Sequence, residues 1–360
     1  MSRERAAVMF DEQATGCAKL GSPLYAFLLE GVARDVRAGG PCADAVAGYE
    51  NAPGPSAIAL RLLGGVHALV LTGRAPELAV HYPSVGGAFD RDRPEPCWLA
   101  FRDAVAAEPE RIRDWMTRPP QTNEVGRANL LIAGLLAAAH ATAPRPIRLF
   151  ELGASAGLNL LADHFRCASD GFCWGPPDAP VVLEAAWRGA PPGWLTEAAA
   201  AQPTLTIAER HGCDLTPVDP LSAEGALVLR AYVWADQADR AARLEGALRL
   251  AARVPARVDT VGAADFLAGV RPEPGTLTVV WHSIMRQYVP AAEWARVERE
   301  LDRLAASSTP EAPFAHVSFE PRRVGEKYPC RLAVRLGAAD EMIMAGARPH
   351  GLPAYRVPVG

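Results

Sequence analysis

The stretch RLFELGASAGLNL, residues 148–160, decides the fold expected of this sequence. It begins as an apolar strand, passes Glu151, and runs through Gly153, Ser155 and Gly157 into an apolar helix start. Small residues let the backbone pass close to a ligand, and the free N–H groups of a helix start point towards it. The stretch therefore predicts a strand–turn–helix unit that binds a small molecule. The alternative is a tight turn that uses small residues for packing only.

The carboxylate in this turn indicates the kind of ligand. It disfavours a pyrophosphate, which a dinucleotide would bring, and suits a cationic or zwitterionic ligand such as S-adenosylmethionine. Asp214 and Asp265 follow the next two predicted strands, where a ribose and an adenine amino group would be bound. Each aspartate alone is also a common helix N-cap. The predicted cofactor site contains Glu151, Gly153, Ser155, Gly157, Asn159, Asp214 and Asp265.

The spacing of apolar residues changes near residue 145. Before it, four stretches have apolar residues at helical spacing, at 21–40, 55–73, 95–116 and 122–141. After it, short β-like runs alternate with helical segments, which predicts parallel pairing in a doubly wound sheet. The β-like runs are 147–152, 204–209, 257–262, 276–281, 315–320, 331–336 and 354–359.

These elements predict an α/β protein with two domains. Residues 1–145 form a helical N-terminal domain or cap, and residues 146–360 form the sheet domain, with an insert at about 165–200. Seven strands, mostly parallel, with an antiparallel pair at the end, outline the Rossmann-like methyltransferase fold. The Pro/Gly-rich stretch 167–182 within the insert is expected to be a long loop or a cap over the sheet.

Composition excludes several classes of protein. The chain has 360 residues, 49% of them hydrophobic, and a net charge of −4, which points to neither nucleic acid nor an acidic membrane as a partner. Seven cysteines without a C-x-x-C pair predict free thiols in the cytoplasm and no metal site. The apolar run 129–143 is shorter than a membrane span of roughly 20 residues and is expected to be a buried helix.

The sequence resembles the bacterial DUF2332 family over nearly its whole length. The resemblance rests on these stretches: GSPLY (21–25), HYPS (81–84), QTNEVGR (121–127), ELGASAGLNL (151–160), RGA with GCDLTPVDP (188–190 and 212–220), YVWADQ (232–237), VVWHSI with QY (279–288) and PHG (349–351). The family implies a methyltransferase-like fold with a helical N-terminal extension. The turn of this chain departs from the usual G-x-G-x-G of methyltransferases because Ser155 replaces the middle glycine.

Polar residues before the fourth predicted helix and after the fourth strand supply candidate catalytic groups. In QTNEVGR, Glu124 is a candidate general base and Arg127 a candidate anion-binding group, or the segment simply caps a helix. In WHSIMRQY, His282 is a candidate proton acceptor and Tyr288 a candidate substrate-orienting group, or His282 ends a strand with its hydrogen bonds satisfied. The predicted catalytic residues are Glu124, His282 and Tyr288.

Other polar and aromatic groups are predicted to contact substrate. YVWADQ could form an aromatic wall with an acid for an amine, or an amphipathic helix with its aromatic residues in the core. Arg286 implies an anionic substrate group if it faces the pocket. The predicted substrate-binding residues are Gln121, Asn123, Arg127, Tyr232, Trp234, Asp236, Arg286, Gln287 and His350.

Three functions fit these residues. The first is an S-adenosylmethionine-dependent methyltransferase that acts on a small molecule by in-line displacement with a general base. The second is an enzyme on the same scaffold that does not use the methyl donor and closes a ring such as an aziridine, with loss of an anionic group such as sulfate. The third is a non-catalytic protein that binds a protein partner. The first requires an open groove between Glu151, Gly153, Asp214 and Asp265.

Overall fold

A computed structural model describes residues 2–357, apart from the side chains of Ser2 and Pro55. The chain forms two compact units. The helical unit contains the residues up to Thr122 together with Ser222–Ala242, and the sheet unit contains Asn123–Leu221 and the chain from Arg243 onwards. The sequence predicted a boundary at residue 145 and did not anticipate that a second segment would join the helical unit.

The helical unit contains three of the four stretches whose apolar spacing is visible in the sequence, together with helices that the sequence analysis did not single out, whereas the fourth stretch, 122–141, lies almost entirely in the sheet unit. Helix α2 shows why they form: Ser22 accepts a hydrogen bond from the Tyr25 N–H at its start, and Gly39 ends it in the left-handed region, with φ of 76°. The helices are α1 Ser2–Lys19, α2 Pro23–Ala38, α3 Pro41–Ala45, α4 Ile58–Leu71, α5 Pro76–Ala79, α6 Glu95–Ala107, α7 Pro109–Thr117 and, in the second segment, α10 Ala223–Ala231.

The sheet unit contains the large sheet that the sequence predicted. Its remaining helices are α8 Ala128–Thr142, α9 Gly193–Ala201, α12 Ala263–Gly269 and α13 Ala291–Ala306, while α11 Ala238–Ala251 begins in the second segment of the helical unit. The strands are β1 Ile147–Leu152, β2 Arg166–Ser169, β3 Phe172–Trp174, β4 Val182–Leu183, β5 Ile207–Asp214, β6 Arg257–Thr260, β7 Leu277–Ser283, β8 Phe314–Pro321, β9 Cys330–Leu336, β10 Met342–Ala347 and β11 Ala354–Tyr355.

Eight of these strands form one sheet in the order β11-β10-β9-β8-β7-β1-β5-β6. Neighbouring strands from β6 through β8 are parallel, and β9, β10 and β11 complete the sheet by antiparallel pairing. Strand order reverses at β1, because the chain moves from β1 to β5 and β6 on one side and then to β7 and β8 on the other. Such a switch point is where open α/β sheets bind ligands, at the carboxyl ends of the strands.

Helices cover the two faces of the large sheet. On one face α8 approaches β8 so closely that a Cβ on Gly134 would lie 2.4 Å from a methyl carbon of Val317. On the other face α12 and α13 pack Phe266 and Trp294 into a cluster with Phe150 of β1. The protein is therefore α/β, with a mostly parallel sheet between helical layers.

Helix α8 lies in the core, as the sequence predicted. The segment Val125–Thr142 is long and apolar enough to cross a membrane by length and composition alone, but 72% of it is buried inside the protein. Such burial is what the core helix of a soluble protein shows. The helix is apolar because it packs against β7, β8 and β9.

The prediction of seven strands was wrong, because the large sheet has eight strands within residues 2–357. The extra strand is β10, with the sequence MIMAGA, whose methionine, alanine and glycine residues give a weak β signal. The last strand extends over Ala354–Tyr355 only, and residues 358–360 of the predicted run lie outside the described part of the chain. The stretch 167–182, expected to be a loop or cap, instead forms most of a small sheet of order β3-β2-β4.

Candidate functional site

The turn after β1 lies at the switch point. Its backbone is in the left-handed region at every second residue, with φ of 67° at Gly153, 53° at Ser155 and 71° at Gly157. This alternation explains why small residues recur along the turn, since larger side chains are strained there. The segment that follows is the seven-residue 3₁₀ helix Leu158–His164 and not the α-helix that the sequence suggested.

Asp214, at the end of the neighbouring strand β5, fixes the middle of this turn. Its Oδ2 accepts a hydrogen bond from the backbone N–H of Ser155 at 2.9 Å, and its Oδ1 accepts one from Thr216 N–H at 2.9 Å. The carboxylate therefore meets the turn where a ribose-binding group was predicted. Both of its oxygens already accept a backbone hydrogen bond.

Glu151 is the buried acid of the site, with 2% of its surface exposed. It lies beside Trp281 of β7, whose Nε1–H donates to Glu151 Oε1 at 3.2 Å. The other oxygen, Oε2, is buried and has no hydrogen-bond partner within residues 2–357. Burial raises the pKa of Glu151 to about 8, although Trp281, Asn159 and Arg127 each oppose the rise.

Residues preceding α8 surround the same turn. The side chain of Asn123 accepts a hydrogen bond from Leu158 N–H at 3.0 Å, and Asn159 donates to the backbone oxygen of Glu124 at 3.4 Å. The carboxyl of Glu124 is buried, and its Oε1 accepts from Gly126 N–H at 3.1 Å. Hydrogen bonds of Asn123 and Asn159 thus link the segment 123–127 to the turn.

Arg127 brings positive charge to this cluster. Its Nε donates to the backbone oxygen of Pro349 at 3.1 Å and its Nη1 to that of Ser283 at 3.3 Å. These two carbonyl groups help to orient the guanidinium. Arg127 is close enough to Glu151 to oppose the rise in the pKa of that carboxyl. The structure therefore brings together Asn123, Glu124, Arg127, Glu151 and Asn159.

His282 lies on the opposite face of the sheet from Glu151. Glu151 is in register with Trp281, so His282, one residue further along β7, points to the other side. There its Nδ1 is 2.8 Å from Glu320 Oε1, and its Nε2 is 3.1 Å from Nε2 of His316. Both ring nitrogens are occupied, and only 2% of the residue is exposed. The structure does not bring His282 to Glu124.

Glu320 and His316 of β8 hold His282 in place. Burial raises the pKa of Glu320, but hydrogen bonds from His282 and from the backbone N–H groups of Met285 and Arg286 outweigh it, so that the pKa lies below its ordinary value. Burial and the neighbouring His282 hold the pKa of His316 well below its usual range. The cluster therefore combines an ionised carboxylate with a neutral histidine, and it anchors the segment after β7.

The segment after β7 contains three of the predicted site residues, Arg286, Gln287 and Tyr288. Met285 packs over the turn, because a Cβ on Gly153 would lie 3.1 Å from the Cβ of Met285. Arg286 reaches α13, where it lies over the Trp294 ring at 5.2 Å and 3.8 Å from Glu298. Gln287 is exposed, as is Tyr288, with 54% of its surface accessible.

Asp265 does not meet the other predicted cofactor groups. It lies in the first turn of α12, where it forms an ion pair with Arg296 of α13. Its side chain is 60% exposed. The sequence order was compatible with an adenine contact, but the side chain pairs across two surface helices.

The residues of YVWADQ belong to the helical unit. Tyr232 packs against Trp115, and Trp234 against Tyr25. Asp236 accepts hydrogen bonds from Ser22 Oγ at 2.6 Å and from Leu24 N–H at 3.0 Å, so that it caps α2. The aromatic rings thus lie in the core, as in the alternative that the sequence left open. Gln121 is also in the helical unit, whereas His350, in the sheet unit, lies with its carbonyl beside Gly126.

Sequence reasoning missed Trp281, Met285, His316 and Glu320. Trp281 and Glu320 lie near the carboxyl ends of β7 and β8, which is a signal that strand assignment alone could have used. The pairing of His282 with His316 depends on strand register, which the sequence did not reveal. Within residues 2–357, no three His, Cys, Asp or Glu side chains are grouped to hold a metal ion.

The chain is thus an α/β protein with a large, mostly parallel sheet and a group of buried polar residues at the switch point of that sheet. The chain belongs to a family described as "Uncharacterized protein conserved in bacteria (DUF2332)", whose model matches residues 7–355. The resemblance seen in the sequence is therefore confirmed. No curated protein and no solved structure matches the chain.

Proposed function

We propose that the protein is an enzyme of small-molecule metabolism that transfers a methyl group from S-adenosylmethionine at the switch point of the sheet. The observation that carries the proposal is the Glu151 carboxyl, which is buried in the turn with one oxygen unpaired among the described residues. A buried acceptor of this kind is stabilised by a cationic donor. The order of the parallel strands, β6-β5-β1-β7-β8, matches that of Rossmann-like folds and supports the same reading.

The residues fit the cofactor in part. Glu151 would hold its ammonium group, and Asp214, beside Ser155, would accept from the ribose hydroxyls. Asp265 does not fit an adenine contact, because it is paired with Arg296 at the surface. When bound, the cofactor supplies an electrophilic methyl group, and the chain itself must orient the acceptor and remove one proton.

Glu124 is the proposed general base. Its carboxyl is buried, and Asn159 links its backbone to the turn that contains Glu151. We do not assign His282 this role, because both its nitrogens are engaged on the opposite face. The proposed acceptor is a small molecule with a nucleophilic N–H or O–H group, bound near Arg127 through an anionic group. Free cysteine thiols favour the reducing cytoplasm as the location.

A second candidate is displacement without a methyl donor, such as an intramolecular ring closure with loss of sulfate. Two observations favour it. Met285 packs over Gly153, where the groove for the donor would run, and Asp214 already receives two backbone hydrogen bonds. Arg127 would then bind the departing anion while the carboxylates accept the proton of the attacking amine.

Calorimetric titration with S-adenosylmethionine and S-adenosylhomocysteine tests the first candidate. We expect micromolar binding by the wild-type protein, at least about tenfold weaker in Glu151→Gln, and unchanged in the matched control Asp265→Asn. Absence of binding to the wild-type protein would overturn the first candidate. The second would then be tested by sulfate stabilisation in thermal unfolding, relative to chloride at equal ionic strength and to Arg127→Gln.

A further inference from the structure

Ser84 and His67 form a hydrogen-bonded pair within the helical unit. Ser84 Oγ lies 2.8 Å from His67 Nε2, and the other ring nitrogen, Nδ1, lies 3.1 Å from the carbonyl oxygen of Ala231. Ser84 is exposed on the 3₁₀ turn Pro83–Val85, whereas His67 is buried in α4. An accessible hydroxyl is thus joined to a protected imidazole.

The bond to Ala231 fixes which nitrogen carries the proton. A backbone carbonyl can only accept, so Nδ1 of His67 must be the N–H donor. In a neutral imidazole the second nitrogen, Nε2, then presents its lone pair to Ser84, whose hydroxyl donates. A nucleophile bonded to a base that is oriented by a third group is the arrangement that activates serine hydroxyls.

The surroundings keep His67 neutral. Burial lowers the pKa of His67 to about 4, although hydrogen bonds to the backbone oppose the fall. The Tyr82 ring packs against the imidazole at 5.6 Å between centroids. His67 is therefore unprotonated throughout the neutral pH range, and its low pKa makes it a weaker general base than an exposed histidine.

The turn that holds Ser84 is rigid. The backbone N–H groups of Val85 and Gly87 donate to the carbonyl of Tyr82, and that of Gly86 donates to Pro83. A Cβ on Gly87 would lie 2.3 Å from the carbonyl oxygen of Ala79, so only glycine fits there. These bonds hold the backbone of Ser84, an exposed residue, in a defined turn, with its hydroxyl directed to His67.

Val80 and Val85, near Ser84 in the chain, are exposed apolar residues. They would favour an apolar acyl group over a charged one. We propose that Ser84 is the nucleophile of a second reactive site, activated by His67, which accepts acyl groups from small apolar carboxylic esters. The Ser84 oxygen bonds to the ester carbonyl carbon, the bond to the alcohol breaks, and the Ser84 proton passes through His67 to the departing alcohol. Water then releases the acyl group as a carboxylic acid.

An alkyl fluorophosphonate tests this proposal on the intact wild-type chain. The Ser84 oxygen would bond to phosphorus as fluoride leaves, with the proton passing to His67. Rates of labelling are measured by mass spectrometry of peptides, with Ser307 as the internal control. Ser307 is also exposed, but its hydroxyl donates to a backbone carbonyl, that of Arg303. We expect Ser84 to react about 100-fold faster than Ser307, at a rate nearly constant from pH 6 to 8.

Two variants complete the test. Ser84→Ala should abolish the fast labelling and the hydrolysis of p-nitrophenyl butyrate, and His67→Gln should slow the labelling to the rate at Ser307. Because Ser307 is measured in the same wild-type molecules, a variant that fails to fold does not decide the result. Labelling of wild-type Ser84 no faster than Ser307 would overturn the proposal, and it would leave the site at Glu151 unaffected.

Discussion

Glu151 and His282 lie on adjacent strands of one sheet and are equally buried, yet they differ in how their polar atoms are satisfied. Glu151 keeps one oxygen without a hydrogen-bond partner in the described chain, and its pKa is raised to about 8. His282 has a partner for each nitrogen, Glu320 and His316. Burial alone therefore does not distinguish the two groups. They differ in whether every polar atom of the side chain has a partner, although Oε2 of Glu320, beside His282, is also buried without one in residues 2–357.

A substitution at Glu151 tests the comparison between the two residues most directly. Its folded-state pKa, about 8, lies above that of an exposed glutamate, so its stabilisation is complete below about pH 4 and is lost as the pH rises through about 8. Glu151→Gln should remove this loss and be more stable than wild type at pH 9 by roughly 4 kcal/mol. Urea unfolding at pH 5, 7 and 9 measures the difference, with the exposed Glu77→Gln as control. Parallel pH profiles for Glu151→Gln and wild type would contradict the assignment.

A substitution at Glu320 tests whether the cluster around His282 stabilises the fold. Glu320→Ala leaves His282 and the backbone N–H groups of Met285 and Arg286 without their shared acceptor. We expect a loss of about 3–5 kcal/mol in the free energy of unfolding at pH 7. Glu320→Gln keeps an acceptor oxygen and should lose less. Equal stability of Glu320→Ala and wild type in urea would mean that this cluster is not structural.

A substitution at Met285 helps to distinguish between the two proposed reactions. Met285→Ala removes the side chain that packs over Gly153, at a cost in stability of about 1 kcal/mol for a partly buried residue. If the methyl donor binds over Gly153, the Met285→Ala variant should bind S-adenosylmethionine several-fold more tightly in calorimetry. Weaker binding would instead make Met285 part of the donor site.

Asp265 should give the smallest effect. Its ion pair with Arg296 is exposed, and such pairs contribute between 0 and about 1 kcal/mol. Asp265→Asn should therefore change the free energy of unfolding by less than about 0.5 kcal/mol. Its affinity for S-adenosylmethionine should equal that of wild type. A loss of affinity in calorimetry would restore the adenine contact that the sequence suggested.

The sequence was informative where one element decides its own conformation. The glycines and serine of 153–157 require a left-handed backbone at fixed positions, and the apolar runs of β1, β7 and β8 need burial on both faces. Strand β10 was missed because its composition carries little β preference, and its pairing with β9 supplies the missing stability.

Only part of the candidate site could be predicted from the sequence. QTNEVGR and the glycine turn contain the polar residues that come together, so Glu124, Arg127 and Glu151 could be selected from their residue types. His282 could not be excluded in this way, since one residue of register decides which face a strand side chain occupies. Asp236 likewise caps a helix that begins more than two hundred residues earlier in the chain.

The sequence by itself determined the α/β class, the order of most elements and the turn at the end of β1, because periodicity and backbone restrictions act locally. Only the tertiary structure decided which polar groups have partners. The oxygen of Glu151 that has no partner in residues 2–357, the two partners of His282 and the bond between His67 and Ala231 each depend on segments distant in sequence. Hydrogen bonds form between groups that packing brings within about 3 Å, and no local pattern records that distance.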